Sequence, residues 1–545
     1  MDELPQEKKS FVRRELIYLL AVLIAAVILG VLVILRLNPQ ATKLQGADYI
    51  EGLPKDQVRI GVDSITGLYP NIPFANEILA LNNGIFEGLT VIRQGRVQPA
   101  LAQSWTNPDN LTWRIKLRSN VKFHSGQTLK ASDVRYTIEE AKEDYFSKNP
   151  IWVTGFVAAR VDSVKVIDDS TVELKTAIPD PTLMHWMVFL FILSEEQVKK
   201  DGLDKATGTG PYKVASFSKE EAVLEANTGY WGGVPKVKKL IYKAFKDEES
   251  LVKGLEDGKI DISFVIEKVF DESIKNKGLR IIPASNSGVG YIGFDATSIK
   301  AKYVNTEKNP FADVKVRKAI LLALDAEKLL KDAGSENAAL SQFATEDLVG
   351  FNSQLKRPVA NQIEAKKLLS EAGFPDGFEV TLDTADFAKK IPEQIKLQLA
   401  EVGIMVKLNV VAESEDFYNK LFSGDTSFYY LNYVPDTIDS TDLLNSFIHT
   451  VDKKTGKGSN NMTAYSNEKI DKLLDRASAE FDSRERANII SKVHAEVMDE
   501  LPLVPIDKTT VFFIVRDDVS FKPAPFGFIF GYELSGRQKV TEDQK

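Results

Sequence analysis

The side chains that could catalyse a reaction or hold a metal ion are few and scattered in this sequence. The four histidines, His124, His185, His449 and His494, lie far apart, so a zinc or iron enzyme is not predicted. Cysteine is absent, which excludes disulfides, thiol catalysis and cysteine-ligated metals. The sequence has neither a Gly-x-Ser-x-Gly nucleophile motif nor a phosphate-binding loop. We therefore predict no catalytic residue, no metal site and no cofactor.

Acidic side chains are abundant, but their number argues against reading each pair as a site. The chain has 77 aspartates and glutamates, so adjacent pairs such as Asp168-Asp169 are expected in solvated turns. The net charge is −8 and no basic block offers a track for phosphates, so nucleic-acid binding is not predicted. A hydrophobic fraction of 43% over 545 residues indicates a folded protein of several domains.

The N-terminus carries a segment long enough to cross a lipid bilayer. Residues 17–35 are uncharged and apolar, and as a helix they would reach roughly 28 Å. Lysines and arginines precede this segment, which predicts a cytoplasmic tail at 1–16 and the bulk of the chain outside the cell. A cleaved signal peptide is the alternative, but its apolar core is usually shorter. We expect an uncleaved signal anchor, followed by a polar linker at 36–55.

Several strands and helices follow from the spacing of apolar residues. Leu111, Trp113, Ile115 and Leu117 alternate with polar residues, which predicts a strand with these four on its buried face. Residues 164–166 and 172–174 are typical of a β-hairpin. From about residue 290 onward long helices alternate with strands, which indicates an α/β lobe. Within it, residues 316–330 are predicted to form one helix.

Four blocks of sequence recur in the same order as in one protein family. They begin at Ile85-Phe-Glu-Gly-Leu89, Gly208-Thr-Gly-Pro-Tyr212, Phe311-Ala-Asp-Val-Lys-Val-Arg317 and Glu364-Ala-Lys-Lys-Leu-Leu369. Together they resemble the family 5 extracellular solute-binding proteins of ABC importers, the oligopeptide- and dipeptide-binding type. We expect glycines and aromatic residues of these blocks to support the fold rather than to touch a ligand.

The resemblance implies a two-lobed, α/β periplasmic-binding-protein-like fold of class II with an extra inserted domain. Here it would be preceded by one transmembrane helix. The implied parts are lobe I at 56–88, 205–285 and 506–545, the inserted domain at 89–204, and lobe II at 286–505. Lobes of this kind close over a ligand held in the cleft between them.

The resemblance also implies where a peptide would bind. Peptide-binding members hold the ligand's α-amino group with an aspartate, and matching Leu443-Leu444-Asn445 to the family's Phe-Leu-Asn gives Asp436 this role. A carboxylate suits a desolvated ammonium group. Tyr433 would form a flat wall of the site, and Asn432 and Tyr291 are further candidates. Asp439 and Asp442 remain alternatives to Asp436.

This stretch also departs from the family pattern. Asn432-Tyr433 replaces the family's Gly-Trp, Ser440 stands where a second proline is expected, and Tyr430 replaces an arginine of some oligopeptide binders. We expect a membrane-anchored protein that captures a peptide or similar small solute and delivers it to an ABC permease, with the ATPase on separate chains. The alternatives are a tethered sensor or scaffold of the same fold, or a binder of a non-peptide solute.

Overall fold

The structure is a computed structural model that describes residues 56–65, 67–68, 76–93, 95–147, 153–265, 270, 272–462, 464–523, 529 and 531–534. The predicted tail at 1–16, anchor at 17–35 and linker at 36–55 lie outside the described residues. Among the residues it does describe, no helix is both long and apolar enough to cross a membrane. The chain forms two compact units that change over at 285/286 and 510/511.

The first unit comprises the described residues up to Ser285 and those from Val511 onward. Its strands are β1 (Gln57–Val62), β2 (Thr90–Arg93), β3 (Arg96–Pro99), β4 (Ala102–Asp109), β5 (Thr112–Leu117), β6 (Ser163–Asp168), β7 (Thr171–Lys175), β8 (Tyr212–Phe217), β9 (Glu221–Ala226), β10 (Lys239–Ala244) and β11 (Ile262–Val265). Its helices are α1 (Asn76–Ile85), α2 (Ala131–Ser147), α3 (Val153–Ala159), α4 (Leu183–Trp186), α5 (Glu195–Asp201) and α6 (Glu248–Glu256).

The strands of the first unit form three groups. The main group has the order β11-β1-β10-β9-β8, in which β1 runs parallel to both neighbours. A separate sheet has the order β4-β5-β7-β6, and β2 pairs with β3. The hairpin predicted from residues 164–174 is confirmed as β6 and β7, which pair antiparallel.

The turn at Gly208 is held by close backbone packing and a buried carboxylate. A Cβ atom on Gly208 would lie 1.9 Å from the carbonyl oxygen of Ile85, so only glycine fits there. The Glu87 carboxylate, whose pKa burial raises, lies next to this turn. It accepts hydrogen bonds of 2.7–2.9 Å from three donors, namely Thr209 Oγ1, Tyr230 OH and Trp231 Nε1. These block residues therefore support the fold.

The second unit comprises Asn286–Thr510. Its strands are β12 (Leu279–Phe294), which begins in the first unit, β13 (Ala338–Ala339), β14 (Phe378–Ala385), β15 (Ile404–Val411), β16 (Phe428–Tyr433) and β17 (Leu503–Arg516), which ends in the first unit. Its helices are α7 (Val314–Ala323), α8 (Ala326–Asp332), α9 (Gln362–Glu371), α10 (Lys390–Ala400), α11 (Ser414–Phe422), α12 (Ser440–Phe447), α13 (Glu468–Ala479) and α14 (Ser483–Glu500).

The second unit buries a hydrophobic core on each face of one sheet. The strand order is β15-β14-β16-β12-β17, and β13 pairs with β17. Alternate residues of β12 belong to different cores: Ile292 packs with helices α7 to α10, whereas Tyr291 packs with α11 to α14. This three-layer arrangement is typical of α/β folds. The expectation of an α/β lobe after residue 290 is confirmed.

Two local predictions were wrong. Residues 316–330 form two helices, because Leu324 is extended and the Asp325 side chain caps a new helix by accepting from Lys328 N. Leu111 does not share the buried face of its strand. It is 40% exposed, and its backbone N–H donates to Asp109 Oδ1 in a turn before β5 begins. Trp113, by contrast, is buried as predicted.

Candidate ligand-binding site

Tyr433 and Asp436 lie together at the end of β16. The Tyr433 hydroxyl donates to Asp436 Oδ2 at 3.1 Å, and both side chains are half-buried. Burial raises the pKa of the Asp436 carboxyl to about 6, and the hydrogen bond from Tyr433 offsets only part of this rise. No lysine, arginine or histidine of the described residues pairs with Asp436. Among the described residues, the Asp436 carboxylate therefore has no positively charged partner.

Aromatic rings lie beneath this pair on one face of the sheet. The ring of Tyr433 meets Phe447 edge-on at a centroid distance of 4.7 Å. Tyr291 lies 5.8 Å from the same Phe447 ring and also packs against Phe343 and Tyr429. Tyr291 has no exposed surface in this structure. It packs against Phe447, which in turn packs against the ring of Tyr433.

Asn432 points to the opposite face of the sheet. Its side-chain amide donates to Thr509 Oγ1 at 2.7 Å, and Thr509 lies on β17. Successive residues of a strand face opposite sides, so Asn432 and Tyr433 cannot share one surface of β16. The structure therefore brings Tyr433 and Asp436 together, and Tyr291 is linked to them through Phe447. Asn432 is not part of this group.

The two alternatives to Asp436 have other partners. Asp439 is buried, caps α12 by accepting from Thr441 N, and binds Arg486 through N–O contacts of 2.8 and 3.0 Å. A buried carboxylate with these partners stabilises the fold and is not available to a ligand. Asp442 is half-buried and accepts a 2.7 Å hydrogen bond from Thr437 Oγ1.

A buried polar group near Asn432 was not predicted from the sequence. Asp507 on β17 accepts hydrogen bonds of 2.6 Å from Tyr430 OH and Asn337 Nδ2. Burial raises the pKa of Asp507 to about 6. A Cβ on Gly290 would lie 2.1 Å from Asp507 Oδ1, so the glycine leaves room for the carboxylate. Glycines inside a strand often mark such an approach, and Gly288-Val-Gly290 was the available signal.

The described residues offer no metal-binding group. Among them, no three histidine, aspartate or glutamate side chains lie together in a way that could hold an ion. The site is a carboxylate beside aromatic rings. A carboxylate in such a setting can form a charge-assisted hydrogen bond with a cationic or amine-bearing group.

Comparison with known proteins identifies the family. The sequence profile of the bacterial extracellular solute-binding proteins, family 5, middle region, matches residues 96–455. The chain belongs to this family. It therefore has the α/β periplasmic-binding-protein fold of family 5, and it is an extracytoplasmic solute-binding protein of ABC import, not an enzyme.

The similar proteins bind different solutes by name. Heme-binding protein A of Haemophilus influenzae is 24% identical over 500 residues, which cover 84% of this chain and 88% of that protein. The dipeptide-binding protein of Escherichia coli is 23% identical over 489 residues, covering 82% of this chain and 86% of that protein. The structure of HbpA2 from Haemophilus parasuis, at 21% identity, matches 88% of this chain and all of that one with a TM-score of 0.78. That likeness concerns the fold alone.

Proposed function

We propose that this solute-binding protein captures a peptide by its α-amino group at Asp436 and delivers it to an ABC permease. The observation that carries the proposal is the electrostatic state of Asp436, whose one hydrogen bond from the described residues comes from the neutral hydroxyl of Tyr433. A carboxylate that burial has made costly to ionise gains most from an added cation. An ammonium group supplies both the charge and three N–H donors.

The aromatic surroundings support an organic ammonium rather than a metal cation. Tyr433 presents a ring beside the carboxylate, and Phe447 and Tyr291 pack behind it. Rings attract the positive charge through their π-electrons and exclude water from the salt bridge. A peptide N-terminus combines an ammonium group with apolar atoms, so it fits both features.

The delivery role rests on the predicted anchor and the family. We propose that residues 17–35 tether the chain to the membrane, with the two units on the extracytoplasmic side. Because the sequence has no cysteine, a lipid-modified cysteine cannot provide the tether. The permease and the ATPase would be separate chains.

A non-peptide solute is the second candidate. It is favoured by the similarity to heme-binding protein A, whose identity to this chain equals or slightly exceeds that of the dipeptide binder. In that case Asp436 would not meet an amine, and its substitution would leave binding unchanged.

Native mass spectrometry of the full-length chain, recorded directly after purification, tests the proposal. We expect added masses that are released on mild denaturation and fragment as peptides. The Asp436→Asn variant should lose most of this occupancy, because the amide keeps the shape but carries no charge. Asp442→Asn is the matched control, since it removes a nearby carboxylate that already has Thr437 as a donor.

Other outcomes redirect the proposal. A single non-peptide mass, unchanged in Asp436→Asn, would favour the second candidate. Loss of peptide in Asp442→Asn but not in Asp436→Asn would move the amine site. A chain that stays empty and ignores added peptides would favour a sensor or scaffold.

A further inference from the structure

Two buried arginines of the second unit show how this fold satisfies a guanidinium group. Arg317 donates five hydrogen bonds to the backbone carbonyls of Phe311, Ala312, Glu500 and Leu501. Arg486 donates through Nε and Nη2 to Asp439 and through Nη1 to a carbonyl. In both, all three nitrogen atoms have acceptors.

Arg357 differs from these two. Its Nη1 donates to the carbonyl oxygens of Leu340, at 3.1 Å, and Pro505, at 2.5 Å. Arg357 is half-buried as a residue, but its Nε and Nη2 atoms are buried, and no described residue accepts a hydrogen bond from them. Leaving two donor nitrogen atoms of a cation without acceptors costs free energy, so a group that can accept from both nitrogen atoms would bind favourably.

The nearby carboxylates do not fill this edge. Asp325 and Asp507 act on Arg357 electrostatically, but neither is within ion-pair distance. Both oxygens of Asp507 are already taken, by Tyr430 and Asn337. Among the described residues of the second unit, no side chain therefore accepts from this edge of Arg357.

The shape of the edge selects its occupant. Nε and Nη2 form the side of a guanidinium that matches the two oxygens of a carboxylate through parallel hydrogen bonds. The two carbonyls on Nη1 fix the plane of the group, so little freedom is lost on binding. The negative field of Asp325 and Asp507 disfavours an anion with two charges.

We propose that the Nε–Nη2 edge of Arg357 is a binding site for a singly charged carboxylate. Two sources provide such a group, a free small carboxylic acid and the carboxylate of a captured solute. The site does not depend on the proposed amine site at Asp436, so either can fail without the other.

Thermal unfolding of the full-length chain in formate tests the site. The protein is first dialysed into chloride, and formate then replaces chloride at constant ionic strength. We expect the unfolding midpoint to rise with formate in the wild type and in Lys356→Gln, which removes an exposed charge one residue away. In Arg357→Gln the rise should be lost, because we expect the variant to bind formate at least about tenfold more weakly than the wild type does. Arg357→Lys, which keeps the charge without the planar edge, should also lose most of it.

Competition separates the two sources of the carboxylate. If the captured solute fills the edge, saturating trialanine abolishes the formate response, whereas trialanine amide leaves it intact. If a free acid is the natural occupant, the response survives both peptides. Asp436→Asn should keep the formate response in either case, which distinguishes failure of this site from failure of the amine site.

Two results would overturn the proposal. One is an equal formate response in Arg357→Gln and the wild type. The other is a wild-type midpoint that does not distinguish formate from chloride, which means that water satisfies the edge. This second comparison needs no variant, so it applies even if Arg357→Gln does not fold.

Discussion

Three aspartates of the second unit occupy three different electrostatic environments. Asp439 meets the guanidinium of Arg486, Asp507 accepts from Tyr430 and Asn337, and Asp436 accepts only from Tyr433 among the described residues. A charged partner compensates the burial of a carboxylate far better than neutral donors do. Asp436 is thus the one of the three with most to gain from a bound cation.

This difference predicts a pH dependence for binding of an amine-bearing ligand such as trialanine. The ligand's ammonium favours the ionised form of Asp436, whose pKa in the free protein is raised to about 6. Protonation therefore competes with binding below that pH. We expect the affinity to be highest near pH 7, about tenfold weaker at pH 5, and weaker again above about pH 8, where the ligand's ammonium group loses its proton. Isothermal titration calorimetry across this range measures it.

The Asp436→Asn variant provides the control for this profile. Its residual affinity should be weak and constant between pH 5 and 7, because the carboxyl that titrates in this range is gone. An unchanged pH profile in the variant would show that another group, on the protein or the ligand, controls the dependence.

The roles of single residues could be predicted from the sequence only in part. Asp436, Asp439 and Asp442 are close neighbours in the chain, and only the contact of Asp439 with Arg486, 47 positions away, separates their roles. The faces of Asn432 and Tyr433 also followed only after the strand had been located at Phe428–Tyr433. Long-range partners of this kind leave no local pattern.

Elements were predicted better where local capping and periodicity agree. The helix α6 begins and ends at local signals of this kind, since Asp247 and Ser250 form a capping box at its start and Gly258 adopts a positive φ after its end. The break between α7 and α8 was not predicted, because the apolar spacing continues through Leu324. The Asp325 side chain nevertheless ends this continuity by capping the start of α8. The spacing of apolar residues alone does not reveal a helix cap that lies inside a continuous apolar pattern.

Helix α14 carries a buried histidine that should limit stability in acid. His494 is fully buried, neither ring nitrogen has a hydrogen-bond partner in the described part of the chain, and burial lowers its pKa to about 3. Between pH 6.5 and 3 the unfolded chain therefore binds one more proton at this residue than the folded chain does. Protonation then favours unfolding, by about 1.4 kcal/mol per pH unit below 6.5.

The His494→Leu variant tests this prediction by denaturant unfolding at several pH values. Leucine fills a similar volume without polar atoms, so we expect it to be more stable than the wild type. The gain should grow as the pH falls from 7 to 5. A gain that stays constant over this range would contradict the assigned pKa, although it would leave the cost of the unpaired nitrogens in place.

At the scale of the whole molecule, the chain passes between its two compact units at 285/286 and 510/511, inside β12 and β17. The lobe boundaries implied by the family resemblance are at 285/286 and 505/506. The order of sequence blocks was enough to predict the α/β fold and the family, because it reflects the chain's path through the whole fold. The division of the first unit into lobe I and an inserted domain stays a proposal.

We propose that residues 17–35 attach the molecule to a membrane. This segment is uncharged and could cross the hydrocarbon layer as a helix of about 28 Å, and basic residues precede it. We expect the full-length chain expressed in bacteria to stay in the membrane fraction after an alkaline carbonate wash, with its N-terminal tail retained. Arginine at both Leu23 and Val27 should release it, since each charge near the bilayer centre costs about 2.5–3.5 kcal/mol. Arginine at Ala41 and Leu44, in the predicted linker, is the matched control and should leave the chain in the membrane. A washed-out wild-type chain whose N-terminus begins after residue 35 would instead identify the segment as a cleaved signal peptide.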